Sequence, residues 1–289
     1  MSEKKIDMHM HTIYSDGELT PEELIKRAIN HGITTMAITD HDTLKGIEKV
    51  DKSADYIKKS GIEIINGIEL SAKVPKGRMH ILGYDIDIYD ERLQADMSRI
   101  KDNSFHSFMT ILEEVSREYG INFPFDDVLE ILNREHNLGR PDIARLMIKY
   151  GHVQTGKEAF NKYLVEAFNK TRQYRRGLSY EECLDIINRS GGIAVLAHPK
   201  SLELDEKEFL ILLRDMIKKG LKGIEVYHSS HSKAEMEYYK RIAEEYDLLI
   251  SGGSDYHGKN VKPDIEVGSG RNNNLKIKQL TLLDHIHTK

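Results

Sequence analysis

Short apolar runs alternate with amphipathic segments along this chain, and that rhythm constrains its fold more than any other feature. Lys5-Ile6-Asp7-Met8-His9-Met10 reads as a first strand. Thr20-Pro21-Glu22-Glu23 then opens a helix with a capping threonine, a proline at the first helical position and acid in the first turn, and Gly32 ends it. Thr35 to Thr39 is a short buried strand, followed by a helix from about Leu44 to Lys59 that Gly61 closes. Ile62 to Leu70 and Met79 to Tyr84 read as further strands. Strands separated by helices at this spacing predict a parallel α/β architecture.

The rhythm stops between residues 92 and 172, a stretch rich in Glu, Lys, Arg and Asn with helical patterning throughout. Phe105, Phe108, Ile111, Leu112 and Val115 recur at helical spacing and are expected to form the core of a small helical insert. The α/β pattern returns near Leu178, where Ser179 and Glu182 make a capping box. Strands follow at Ile193 to Ala197, Gly223 to Tyr227 and Leu248 to Ser251. The expected division is therefore 1–91 with 173–289 as one α/β domain and 92–172 as a helical insertion. A chain of 289 residues has enough length to bury such a core.

Composition excludes some functions. No run of 18 or more apolar residues is present, so no membrane span is expected. No apolar leader precedes the first strand, which makes a cytoplasmic location the default expectation. Cys183 is the only cysteine, so an intramolecular disulfide and a thiolate metal site are both ruled out. Its place on an amphipathic helix reads as packing. A net charge of −5 leans away from a long nucleic acid and toward a small anionic substrate.

Chemistry collects where strands end. His9 and His11 share one strand face, so they either grip a metal from a rigid support or form a polar face. Asp7 has the same parity and is expected to orient a histidine. Ser15-Asp16-Gly17 offers a carboxylate in a turn, and Thr39-Asp40-His41-Asp42 a charged quartet after a buried strand. Gly67-Ile68-Glu69, His80, Ala197-His198-Pro199 and Gly253-Ser254-Asp255-Tyr256-His257 repeat the placement. Each fragment alone is weak. Together they supply more ligands than one ion needs, and imidazole with carboxylate suits two or three Mn, Zn or Fe ions. Such ions polarise phosphoryl oxygens and acidify water. Arg140 in Gly139-Arg140-Pro141-Asp142, then Arg175 and Arg176, have the planar fork that matches phosphate, or are surface charge. His231, in Tyr227-His228-Ser229-Ser230-His231, is a candidate phosphate donor or general acid, whereas His228 reads as structural.

These motifs, in this order, resemble those of the PHP (polymerase and histidinol phosphatase) superfamily, from about residue 5 to 268. The Gly-Arg-Pro turn resembles the stand-alone phosphoesterases that act on nucleotides or short RNA. The resemblance implies a distorted (βα)7 barrel with a trinuclear site. It implies one metal on His9, His11 and Asp255, a second on Asp16, His41 and His257, and a third on His80 and His198, with Glu69 bridging two. Asp16, Glu69 and His231 would be catalytic; Arg140 and His231 match substrate-phosphate positions, with Arg175 or Arg176 near another. Asp142 departs from the family pattern, where histidine often follows Gly-Arg-Pro, and would pair with Arg140 or repel phosphate. The expected activity is hydrolysis of a nucleotide phosphomonoester, a 3′,5′-bisphosphate or a monophosphate, by a metal-bound hydroxide. A 5′-to-3′ exoribonuclease is the alternative; a histidinol phosphatase or a silent metal-binding scaffold fits less well. No obligate protein partner is evident.

Overall fold

The computed structural model describes residues 4–133, 137–174 and 176–288. The chain divides into two compact units, Met1–Asp96 with Leu178–Lys289, and Met97–Gly177.

The first unit is built on one seven-stranded sheet: β1 (Ile6–Asp7), β2 (Thr35–Ile38), β3 (Glu63–Ala72), β4 (Met79–Tyr84), β5 (Ile193–Leu196), β6 (Gly223–His228) and β7 (Leu249–Gly253). Spatial order equals chain order. The last strand returns to the first: Met8 N–H donates to Gly252 O at 3.2 Å, Asp255 N–H to His9 O at 2.8 Å and His11 N–H to Tyr256 O at 2.9 Å. The sheet thus closes into a seven-stranded α/β barrel with helices outside it. Gly253 is required at this seam, because a Cβ there would lie 2.3 Å from the His9 nitrogen. β2 and β5 are buried along their whole length, as strands covered on both faces must be.

Two local readings change. The strands are parallel except for β4, which runs antiparallel to both β3 and β5. The link 73–78 is too short for the dozen or so residues that a parallel crossover needs, so it makes a hairpin. The single helix expected over 44–59 is two short ones, Lys45–Glu48 and Asp55–Ser60. Between them Asp51 accepts from the Ser53 N–H at 2.9 Å, a local turn that competes with helix. Thr20 caps its helix as expected, in a full capping box with Glu23, and the box of Ser179 with Glu182 forms. Cys183 is buried in a helix.

The second unit is helical among the described residues. Its core gathers Phe108, Ile111, Val115, Ile143, Met147 and Leu164, with Leu112 at the edge. Phe105, expected in that core, is 46% exposed; the packed stripe begins one turn later at Phe108. Among the described residues no helix is long and apolar enough to cross a membrane.

Candidate metal centre

All nine of the expected metal ligands lie in the first unit and meet at one rim of the barrel. Glu69, on β3 and fully buried, is the hub. Its Oε2 lies 3.1 Å from His9 Nε2, 3.2 Å from His11 Nε2 and 3.2 Å from His41 Nδ1. Its Oε1 lies 2.9 Å from His80 Nδ1 and 2.9 Å from His198 Nε2. Asp255 Oδ1 faces His11 Nε2 at 3.3 Å and His9 Nε2 at 3.6 Å. Asp16 completes a third group, 3.1 Å from His257 Nε2 and 4.0 Å from His41 Nε2.

Short loops hold these donors, and several are strained. Asp40 is buried and accepts from the Thr12 N–H (2.7 Å), the Thr12 hydroxyl (2.7 Å) and the Ser15 hydroxyl (2.6 Å), which fixes the loop carrying Asp16. Asp42 accepts from the Ser71 N–H at 2.7 Å while its own N–H donates to Glu69 O at 2.8 Å. Asp42, His198 and Asp255 all have left-handed backbones, at φ of 58°, 22° and 57°. Such conformations cost on the order of 1–3 kcal/mol each and persist where surroundings over-determine them.

Asp7 departs from expectation. Its carboxylate takes backbone N–H groups, from Gly268 at 2.7 Å, Ser254 at 2.8 Å and His9 at 3.4 Å, and so pins the seam between β1 and β7. The carboxylate that holds a histidine ring is Glu225 on β6, 2.9 Å from His9 Nδ1. A lone acid inside the apolar run Gly223–Tyr227 was the only sequence signal for it. Lys262, also unforeseen, reaches Asp255 Oδ2 at 2.6 Å.

Fixed acceptors identify which ring nitrogens are bare. Ser201 Oγ donates to Arg78 O at 2.9 Å, so it accepts from His198 Nδ1–H at 2.8 Å and leaves the lone pair on Nε2. His257 Nδ1–H donates to Asp255 O at 2.9 Å, so its bare Nε2 faces Asp16. In the neutral ring that lone pair faces a carboxylate oxygen, an arrangement that calls for a cation or a proton between them. His11 Nε2, His41 Nδ1 and Asp16 Oδ1 are buried without hydrogen-bond partners. Donors bound to one ion at about 2.0–2.2 Å stand about 3.0–3.5 Å apart, which matches most of these spacings. The residues fit divalent cations.

The electrostatics agree. Burial works against the Glu69 carboxylate, yet His41, His9 and His80 hold it well below the usual range. Burial likewise opposes ionisation of Asp255 and Asp16; Lys262 and His257 hold down Asp255, and His257 and His41 hold down Asp16. His41 is pushed down to about 3 and His198 to about 4, chiefly by burial. His11 moves up to about 9, because Asp255, Glu69 and Asp16 outweigh its burial.

His228 Nδ1 accepts from the Ser230 N–H at 3.1 Å, so its proton sits on Nε2, 3.3 Å from Asp255 Oδ2. It supports Asp255. His231 gives its Nδ1–H to Val226 O at 2.9 Å, and burial pushes it down to about 4. The neutral ring therefore offers a bare Nε2, buried without a partner, and acts as a donor only after gaining a second proton.

Of the arginines, Arg140 opens the helix Arg140–Lys149 in the second unit, with its guanidinium carbon 3.9 Å from the Phe168 ring centroid and 5.2 Å from that of Phe160. Asp142 caps that helix, accepting from Gly139 N–H at 2.9 Å, and meets Arg145 at 2.7 Å. Arg176 is exposed in the same unit, and Arg175 lies outside the described residues.

A barrel with a rim of imidazoles and carboxylates defines a hydrolase of the metal-dependent phosphoesterase class, and comparison with known proteins agrees. The chain belongs to the PHP domain family, whose model matches residues 7–266. It is 31% identical over 257 residues to a 5′-3′ exoribonuclease of Haemophilus influenzae, covering 88% of this chain and 90% of that protein. It is 30% identical over 252 residues to a 3′,5′-nucleoside bisphosphate phosphatase of Chromobacterium violaceum, covering 87% of each. A solved amidohydrolase from Chromobacterium violaceum, described with bound sulfate and no metal, superposes with a TM-score of 0.77 at 29% identity, over 91% of this chain and 90% of that one.

Proposed function

We propose that the chain hydrolyses a phosphomonoester of a nucleotide, a nucleoside 3′,5′-bisphosphate or a nucleoside monophosphate, at a three-ion centre. The observation that carries this reading is the set of bare imidazole nitrogens aimed at carboxylate oxygens on one rim. His9, His11 and Asp255 would hold one ion, Asp16, His41 and His257 a second, and His80 and His198 a third. Glu69, whose Oε2 faces His9, His11 and His41 and whose Oε1 faces His80 and His198, would bridge two of these ions. Mn, Zn and Fe all suit this donor set. When bound, the ions supply Lewis acidity that acidifies water and draws charge from the phosphoryl group.

The chain's own residues orient the substrate. His231, protonated beside an incoming phosphate dianion, donates through Nε2; Arg140, Arg175 and Arg176 are the proposed cationic contacts. Asp16 and Glu69 fix the reacting geometry. A net charge of −5 favours a small anion over a long polyanion. The single buried cysteine is in keeping with a cytoplasmic setting. The second reading, 5′-to-3′ trimming of short RNA, draws on the Haemophilus influenzae relative.

The test is metal content per chain followed by assay of mononucleotides, 3′,5′-bisphosphates, histidinol phosphate and 5′-phosphorylated RNA oligomers. Inorganic phosphate from a bisphosphate or monophosphate supports the proposal. Mononucleotides released from RNA replace it with the second reading. No turnover at full metal occupancy refutes both.

A further inference from the structure

Glu225 is an ionisable side chain that the hydrolytic reading leaves without a task. It sits in the middle of β6, fully buried, where an unpaired carboxylate is costly. Both of its oxygens are engaged. Oε1 meets His9 Nδ1 at 2.9 Å, and Oε2 accepts the His198 backbone N–H at 2.7 Å. A backbone N–H can only donate, so Oε2 must be an acceptor. His9 and His198 come from opposite sides of the Glu69 hub, the first facing Oε2 and the second Oε1.

We propose that Glu225 is a positioning residue for the metal centre, one carboxylate that fixes a ligand of the first ion and a ligand of the third in a single relation. The proposal rests on the three-ion reading above. On the His9 side, accepting Nδ1–H commits the ring's proton to the outer nitrogen and presents a bare Nε2 to the centre. On the His198 side, the bond holds a residue whose backbone φ of 22° would otherwise relax. The pair of acceptors also accounts for a carboxylate here in place of an amide. Glutamine has one oxygen and one NH2. With its oxygen toward His198, its NH2 opposes His9 Nδ1–H or forces the proton onto Nε2, where it blocks the ion. With its oxygen toward His9, its NH2 opposes the His198 N–H. Either way one ligand is misplaced. The Tyr84 hydroxyl, also at the barrel core, is already committed to Met8 O at 3.0 Å and Ser251 Oγ at 3.1 Å, so it offers no substitute.

The experiment compares wild type, Glu225→Gln, His9→Ala and the double variant, each stripped of metal. Binding of Mn2+ and of Zn2+ is titrated against a competing chelator, with no substrate present. Loss of the carboxylate that orients a ligating histidine should weaken binding about 10–100-fold in Glu225→Gln. Because part of that loss passes through His9, the double variant should bind more tightly than the product of the two single losses predicts. Wild-type affinity in Glu225→Gln overturns the proposal and leaves the three-ion reading standing. Single losses that multiply, as a general folding defect would give, also overturn it. Failure of wild type to bind either ion sinks the three-ion reading and this proposal with it.

Discussion

Replacing Asp7 with alanine should destabilise the metal-free barrel far more than replacing any single histidine of the rim. The Asp7 side chain is fully buried and takes two short backbone bonds, from Gly268 at 2.7 Å and Ser254 at 2.8 Å, plus a longer one from His9 at 3.4 Å. Hydrogen bonds to a charged acceptor contribute about 1.5–3 kcal/mol each, so the two short ones amount to roughly 3–6 kcal/mol. Burial raises the Asp7 carboxyl despite those bonds, which means part of the gain offsets desolvation. The lower half of the range, about 3–4 kcal/mol, is the expected loss. At roughly 2–4 °C per kcal/mol for a large domain, the melting temperature falls by roughly 6–16 °C. Asp7→Asn keeps one acceptor and sets an NH2 against the other N–H, so at least half of that fall should remain. The assay is thermal unfolding in excess chelator. If Asp7 instead oriented a metal-bound histidine, Asp7→Ala would lose metal affinity at unchanged metal-free stability. A shift under about 1 °C would refute the seam argument, because it is smaller than a single neutral hydrogen bond predicts.

Metal-free stability should peak near pH 6.5. The raised His11 contributes fully below the unfolded value of 6.5, and that contribution is lost as pH rises through about 9. His41, His198 and His231 are depressed to about 3, 4 and 4, so stability also falls as pH drops from 6.5 toward those values. Melting temperatures in chelator at pH 5, 6.5 and 9 check this, and a rise from 6.5 to 9 contradicts it. His41→Ala removes a half-buried ring whose buried Nδ1 has no hydrogen-bond partner. It should bind less metal per chain and lose more than about 100-fold in turnover, with metal-free melting unchanged or higher; unchanged turnover rules His41 out as a ligand. Asp142→Ala removes the cap on Gly139 N–H and should cost about 1 kcal/mol in a urea titration, whereas Asp142→Asn should cost less than half of that.

The rim was legible in the sequence because each ligand sits in a short motif at the end of an apolar run. His9-x-His11, Asp16-Gly17 and Asp255-x-His257 carry their geometry locally. What escaped depends on distant partners. Glu225 takes its meaning from His9, 216 residues away, and a lone acid in a strand says nothing of what it faces. Asp7 shares strand parity with His9 and His11, yet a carboxylate next to a barrel seam finds backbone donors first. The reversal of β4 was hidden because apolar patterning does not encode strand direction. Capping explains Asp142 more simply than phosphate recognition does, through an Asp three residues past Gly139.

That reversal has a consequence for how the protein is made. The β3–β4 hairpin carries Glu69 and His80, only 11 residues apart, whereas the seam joins Asp7 to Ser254 across 247. Closing a short loop costs far less chain entropy than closing the barrel. A nascent chain therefore has the hub carboxylate and one imidazole in register as soon as this hairpin pairs. Asp255 and His257, which follow β7, join last, so barrel closure and completion of the ligand set are a single late event in folding.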